Sequence, residues 1–154
     1  MSTLKKILSG GQTGVDRAVL DVALARHIPC GGWCPRGRRA EDGTIALTYP
    51  LQETPLDDYV QRTEWNVRDA DGLLIVHYGK PTGGTALAVA FAQQYCRPYF
   101  LIDLTKRPDK RAFHRWLEEN AIETLSVGGP RESHAPGFIY AKAKMVFKKL
   151  LDCP

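Results

Sequence analysis

The sequence predicts one doubly wound α/β domain over residues 1–154, a parallel sheet with helices on both faces. Two observations carry this. Short apolar runs alternate with helical stripes along the chain, the pattern of βαβ units. The run Gly72-Leu73-Leu74-Ile75-Val76-His77 is almost continuously apolar, as a strand buried on both faces must be.

The elements follow in order. Residues 4–8 form a short apolar run that stops at Ser9-Gly10-Gly11. From Thr13 the period changes: Val15, Val19, Val22 and Ala23 recur at helical spacing, with Leu20 and Leu24 widening the stripe. After Ile28-Pro29-Cys30, residues 31–43 keep neither period and read as a long irregular loop, a kind that is usually functional when ordered. A helix over 57–69 precedes the 72–77 strand. A glycine turn, a small-residue helix over 85–95, a strand over 99–102 and a helix over 110–120 come next. A last strand over 123–127 and a helix over 138–151 complete the reading.

Composition narrows the function. Hydrophobic residues are 44% and charged residues 25%, which excludes a disordered chain. The 21 basic residues are scattered among 17 acidic ones, unlike the stripe of a nucleic-acid binder. No apolar run approaches the ~20 residues a membrane span needs, and the short N-terminal segment leaves no room for a signal peptide. The expectation is a cytoplasmic protein with neither nucleic acid nor membrane as partner. Cys30, Cys34, Cys96 and Cys153 are irregularly spaced, and no second Cys/His pair completes a metal site with the first two. They read as reduced structural thiols.

Open parallel sheets bind ligands beyond the carboxyl ends of their strands, where strand order reverses. Three segments expected there carry glycine pairs. Gly10, Gly11, Gln12, Thr13 and Gly14 would form one wall of an anion site, and Gly83, Gly84 and Thr85 the facing wall. Gly129, Pro130, Arg131, Glu132 and Ser133 would form the rim. Glycine lets the backbone approach a ligand, and N–H groups at a helix start attract anions. The spacing is neither G-x-G-x-x-G nor a P-loop. Arg17 either leans back on a bound anion or pairs with Asp21 at i+4. Arg36, Arg38 and Arg39 form a cluster sized for one small anion. Trp33 either stacks on a planar ring or anchors its loop. Glu64 and Arg68 read as a solvated helix pair, and His77 as a satisfied interior histidine. No Ser-His-Asp set, metal-binding His pair or carboxylate pair in one loop stands out, so no catalytic residue and no metal ligand is assigned. Tyr59, Val60 and Trp65 exceed what one inner helix face needs and point to an interface between copies.

Residues 9–17, 31–43, 62–69, 82–85 and 129–133, taken together, resemble the molybdenum cofactor carrier proteins over nearly the whole chain. That family is similar in turn to the Rossmann-like lysine-decarboxylase-like proteins, which include cytokinin-activating phosphoribohydrolases. The resemblance implies a Rossmann-like fold and a homo-oligomer, dimer or tetramer. It further implies that the oligomer binds, stores and protects the molybdenum cofactor as cargo, with molybdoenzymes as recipients. The enzymatic relatives carry a motif similar to P-G-G-x-G-T-x-x-E. Here Thr85 is followed by Ala86, Leu87 and Ala88, so the glutamate position is apolar and hydrolysis is not implied. The alternative is a protein that binds or processes a nucleotide derivative or another phosphate-bearing small molecule. Glu64, Asp16 and Glu132 are then its only acid/base candidates.

Overall fold

The computed structural model describes residues 4–152. Its centre is a five-stranded sheet in which every pairing is parallel. The strands are β1 (Lys6–Leu8), β2 (Cys30–Gly31), β7 (Gly72–His77), β8 (Tyr99–Asp103) and β9 (Thr124–Gly128), in spatial order β2-β1-β9-β7-β8. The last strand in sequence is thus wedged between the first and β7. Strand order runs outward in both directions from there, so the reversal point lies at β1, β9 and β7.

The helices are α1 (Val15–Ala25), α2 (Tyr59–Arg68), α3 (Gly83–Gln94), α4 (Lys110–Glu119) and α5 (Ile139–Leu150). One face of the sheet is covered by α1, α4 and α5, whose Val15, Val19, Phe113, Leu117, Ile139 and Phe147 bury against Ile7, Leu74, Val76 and Leu125. On the other face Val67 of α2 and Ala92 of α3 pack on Leu73 and Ile75. Both faces of β7 are therefore covered, which is why its sequence could not alternate. The predicted helix over 57–69 starts later because Asp58 is its cap: the carboxylate accepts the Gln61 N–H at 2.9 Å.

Two expectations need correction. The segment over 31–43 is not structureless, and the strand before it was missed. β2 supplies the sheet edge, pairing Cys30 with Ile7 and Gly31 with Leu8. β3 (Trp33–Cys34) then pairs in parallel with β6 (Gln52–Glu53), and β4 (Arg39–Ala40) forms a hairpin with β5 (Gly43–Thr44). Cys34, Ala40, Ile45 and Leu51 close over Leu20 of α1 as a small second core. Two-residue strands are too short to show a period, so the sequence reads as loop. The Glu64–Arg68 pair does not form either. Arg68 donates to Asp69 at 2.8 Å and lies over the Trp65 ring, while Glu64 accepts the Tyr95 hydroxyl. The position of Cys153 lies outside the described residues.

Candidate functional site

A cavity of about 480 Å³ opens at the carboxyl ends of β7 and β9. Ile75, Val76, Gly128 and Gly129 form its floor. Tyr59, Val60, Arg62 and Thr63 of α2 make one wall, and Thr82, Gly84, Thr85, Leu87 and Ala88 at the start of α3 make the other. Gln12 and Asp16 close the inner end, and Pro130, Arg131, Ser133 and His134 the rim. The volume lies in the range of small-molecule sites.

At the inner end, Asp16 is 3% exposed and holds Arg62 at 2.9 Å; it also accepts the Gln12 N–H. Burial raises the Asp16 carboxyl above its ordinary value, and the Arg62 charge and the Gln12 N–H pull against that rise. Arg62 lies directly on the backbone of Gly10, where any Cβ would sit 1.9 Å from its Nη1. Only glycine admits that approach. Two donors here have no protein partner: the side-chain amide nitrogen of Gln12 and Nε of Arg62. Buried donors without acceptors are costly, and a water, an ion or a ligand group can satisfy them.

Of the residues expected from sequence, Gln12, Gly84, Thr85, Gly129, Pro130, Arg131 and Ser133 line this cavity. Others stand behind it and hold it together. Gly11 has φ +75°, and its substituent direction faces Leu51 and Ile45 rather than the cavity. Thr13 donates to Glu41 and accepts the Glu132 N–H, tying the first glycine loop to the rim. The Glu41 carboxylate also accepts both N–H and O–H of Ser133. Val15, next to Gly14, donates its N–H to Pro130. Glu132 caps the approach to α5, accepting the N–H groups of Gly137 and Tyr140. Gly83 begins α3 without lining the cavity.

The arginine loop is a clamp. Arg17 pairs with Asp42 rather than Asp21, and its Nε donates to Gly11 at 2.8 Å. Asp21 instead accepts the hydroxyls of Tyr49 and Tyr140. Arg38 spends its guanidinium on the carbonyls of Ile45, Ala46, Tyr49 and Leu51. Arg36 is exposed and lies off the cavity. Trp33 anchors its loop: its Nε1 donates to Asp69, its ring meets Trp65 edge-on, and Asn66 brackets its backbone. It borders a second, smaller cavity of about 260 Å³ with Lys6 and Asp69. Burial raises the thiols of Cys30 and Cys34 above their ordinary value, which disfavours thiolate.

Sequence reasoning did not assign Tyr59, Arg62 and Thr63 to the site. A signal exists: with Asn66 they fall at i, i+3, i+4 and i+7 on one stripe, so polar groups share the inward face of α2.

The exit of β7 is fixed by Asp103. His77 contacts the Gly79 carbonyl through Nδ1, and Asp103 accepts from Gly79 N–H, Thr105 N–H and the Thr105 hydroxyl. Desolvation pushes the Asp103 carboxyl up, but these donors and the His77 charge together outweigh it and bring it to about 2 from 3.8. A depressed carboxylate stabilises the fold above its unfolded value and loses that contribution as pH falls toward the folded one. Asp103→Asn is expected to flatten the loss of stability between about pH 4 and about pH 2, read by urea unfolding across that window. An acid limb identical to the parent's contradicts the assignment.

Sheet order, with a cavity and glycine turns at the reversal point, defines a Rossmann-like α/β protein. The chain belongs to the circularly permutated YpsA SLOG family, whose model matches residues 7–151. Among solved structures, the chain is similar to the "Putative molybdenum carrier protein" of Syntrophus aciditrophicus SB. Identity is 44% and the TM-score 0.91, covering 98% of this chain and 97% of that one. No curated protein gives a significant match.

Proposed function

We propose that this protein is a carrier that binds, stores and protects the molybdenum cofactor in the cavity between α2 and α3. The observation that carries the reading is the pairing of unsatisfied buried donors with an apolar slot. Gln12 and Arg62 offer N–H groups without acceptors at the inner end. Ile75, Val60, Leu87 and Ala88 line the walls beyond. A pterin bearing a phosphate needs both, an apolar slot for its ring system and donors for its anion. The start of α3 adds the partial positive charge of a helix N-terminus. In this reading Gln12, Gly84, Thr85, Gly129, Pro130, Arg131 and Ser133 touch cargo. Gly10, Gly11, Thr13, Gly14, Arg17, Arg38 and Glu132 shape the wall, and Trp33 holds the loop. The similar protein named as a molybdenum carrier supports the choice of cargo.

Hydrolysis is not part of the reading. Ala88 lies in the cavity wall where the phosphoribohydrolase motif has its glutamate, and Asp16, the one acid lining the cavity among the described residues, is committed to Arg62. Mass spectrometry of ligand released from gently purified protein tests the proposal. A pterin is the expected result. A nucleotide would replace it with the second reading, a protein for nucleotide derivatives.

We also propose that copies of the chain associate, delivering cargo to molybdoenzymes as an oligomer. Of the residues the sequence suggests, Val60 is exposed, while Trp65 packs on Trp33 and Tyr59 is hemmed by arginines. Further exposed apolar side chains lie on α3 and the edge strand β8. Leu101 sits beside Ile75 and Tyr99 beside Leu73, on the face that α2 and α3 cover only in part. Leu101 is 46% exposed, and Val60 and Leu87 on the two helices are exposed as well. Exposed apolar side chains on neighbouring elements support this reading. Light scattering should give a multiple of 17.2 kDa; a monomer in dilute solution rejects association.

A further inference from the structure

Three guanidinium groups converge on one phenol ring. The central carbons of Arg39, Arg62 and Arg131 lie 4.8, 5.4 and 5.0 Å from the centroid of Tyr59. Like charges gathered around one ring repel, and an anion among them relieves the repulsion. Asp16 serves Arg62. Among the described residues, neither Arg39 nor Arg131 is in an ion pair with a carboxylate. Arg39 donates to the main-chain carbonyl of Asp57 at 3.0 Å. Glu41 acts on Arg131 through its field, but its oxygens are held by Thr13 and Ser133.

The positive charge is therefore laid out in two places. Arg62 and the unpartnered Gln12 amide lie at the inner end of the cavity, and Arg131 at the rim with Arg39 next to it across Tyr59. A guanidinium resting on an aromatic face stays charged and keeps N–H groups free for an oxyanion. Its planar fork suits phosphate better than any other side chain.

We infer that Arg39 and Arg131, seated on Tyr59, form an outer anion subsite beside the inner one at Gln12 and Arg62, so that the ligand carries two neighbouring anionic groups. The inference rests on the cavity's being the ligand site, as proposed above, but not on the identity of the cargo. A diphosphate meets it, and so does a phosphate accompanied by a separate oxyanion on the same molecule.

Calorimetric titration with inorganic phosphate and with pyrophosphate tests it, using the parent and an Arg39→Gln/Arg131→Gln double variant. Both residues are exposed, so the double variant should melt with the parent. The parent should bind pyrophosphate about tenfold more tightly than phosphate. The double variant should bind the two alike. Equal affinities in the parent, or a preference that survives in the double variant, overturn the outer subsite and leave the cavity as the ligand site. Failure of both anions to bind the parent overturns both. The stoichiometry of phosphate then separates the two ligand classes: two per parent chain and one per double variant indicate a separate oxyanion, and one in both indicates a bridged diphosphate.

Discussion

Asp16→Ala is expected to cost about 3–5 kcal/mol of folding stability, the range for removing one partner of a buried ion pair. Arg62 would keep its charge in a half-buried position against the Gly10 backbone, with nothing opposite it. The Gln12 N–H would lose its acceptor at the same time. The penalty belongs to the stranded charge rather than to the worth of the pair, so a double variant, Asp16→Ala with Arg62→Met, should recover a large part of it. Urea unfolding of the parent, the single and the double variant gives both numbers. A single variant within about 0.5 kcal/mol of the parent would show that the pair does not hold the inner end of the cavity.

Gly11→Val should come second in size, and it separates scaffold from site. Its φ of +75° lies where a β-branched residue is strained, and its Cβ would meet Leu51 Cδ1 at 2.5 Å and Ile45 Cδ1 at 3.0 Å. Left-handed strain of about 1–2 kcal/mol and overpacking of about 1–3 kcal/mol act together. A loss of about 3 kcal/mol is the expected outcome, with ligand affinity per folded molecule nearly kept. Gly84→Val should do the reverse. The nearest atom to its Cβ is Thr82 Oγ1 at 3.7 Å, so the fold accepts the side chain while the cavity loses space. Thermal melts beside ligand titration separate the two effects. Parent-like stability in Gly11→Val would contradict the packing of the second core.

Much of the scaffold is legible in the sequence because burial leaves it little choice. A strand covered on both faces, such as β7, can be written only as an apolar run, and the stripe of α1 can face only one way. The position of the cavity is legible for a topological reason, since glycine turns after parallel strands open on one edge. The roles of individual arginines are not. Arg17, Arg38 and Arg131 can all be read as anion ligands near the strand ends, yet a guanidinium satisfies a carboxylate, a ring of carbonyls or an open cavity equally well. Which of these each finds depends on residues 25 or more positions away for Arg17, and on four local carbonyls for Arg38. Arg62 is hidden for the same reason. Its partner Asp16 lies 46 residues upstream, and only the fold brings them together.

The wedged strand also bears on how the molecule is made. A nascent chain emerges from its N-terminus at about 5–20 residues per second, so β1, β7 and β8 leave the ribosome before β9 exists. Until then β1 and β7 share no neighbour, and each presents a bare edge of unpaired N–H and C=O groups, the kind that recruits foreign strands. The floor at Gly128 and Gly129 and the rim at Arg131 and Ser133 arrive with that last strand. The cavity at that edge is thus complete only once β9 is in place. Chaperone demand should fall in the same interval, when the late strand slots between two waiting edges and closes the sheet.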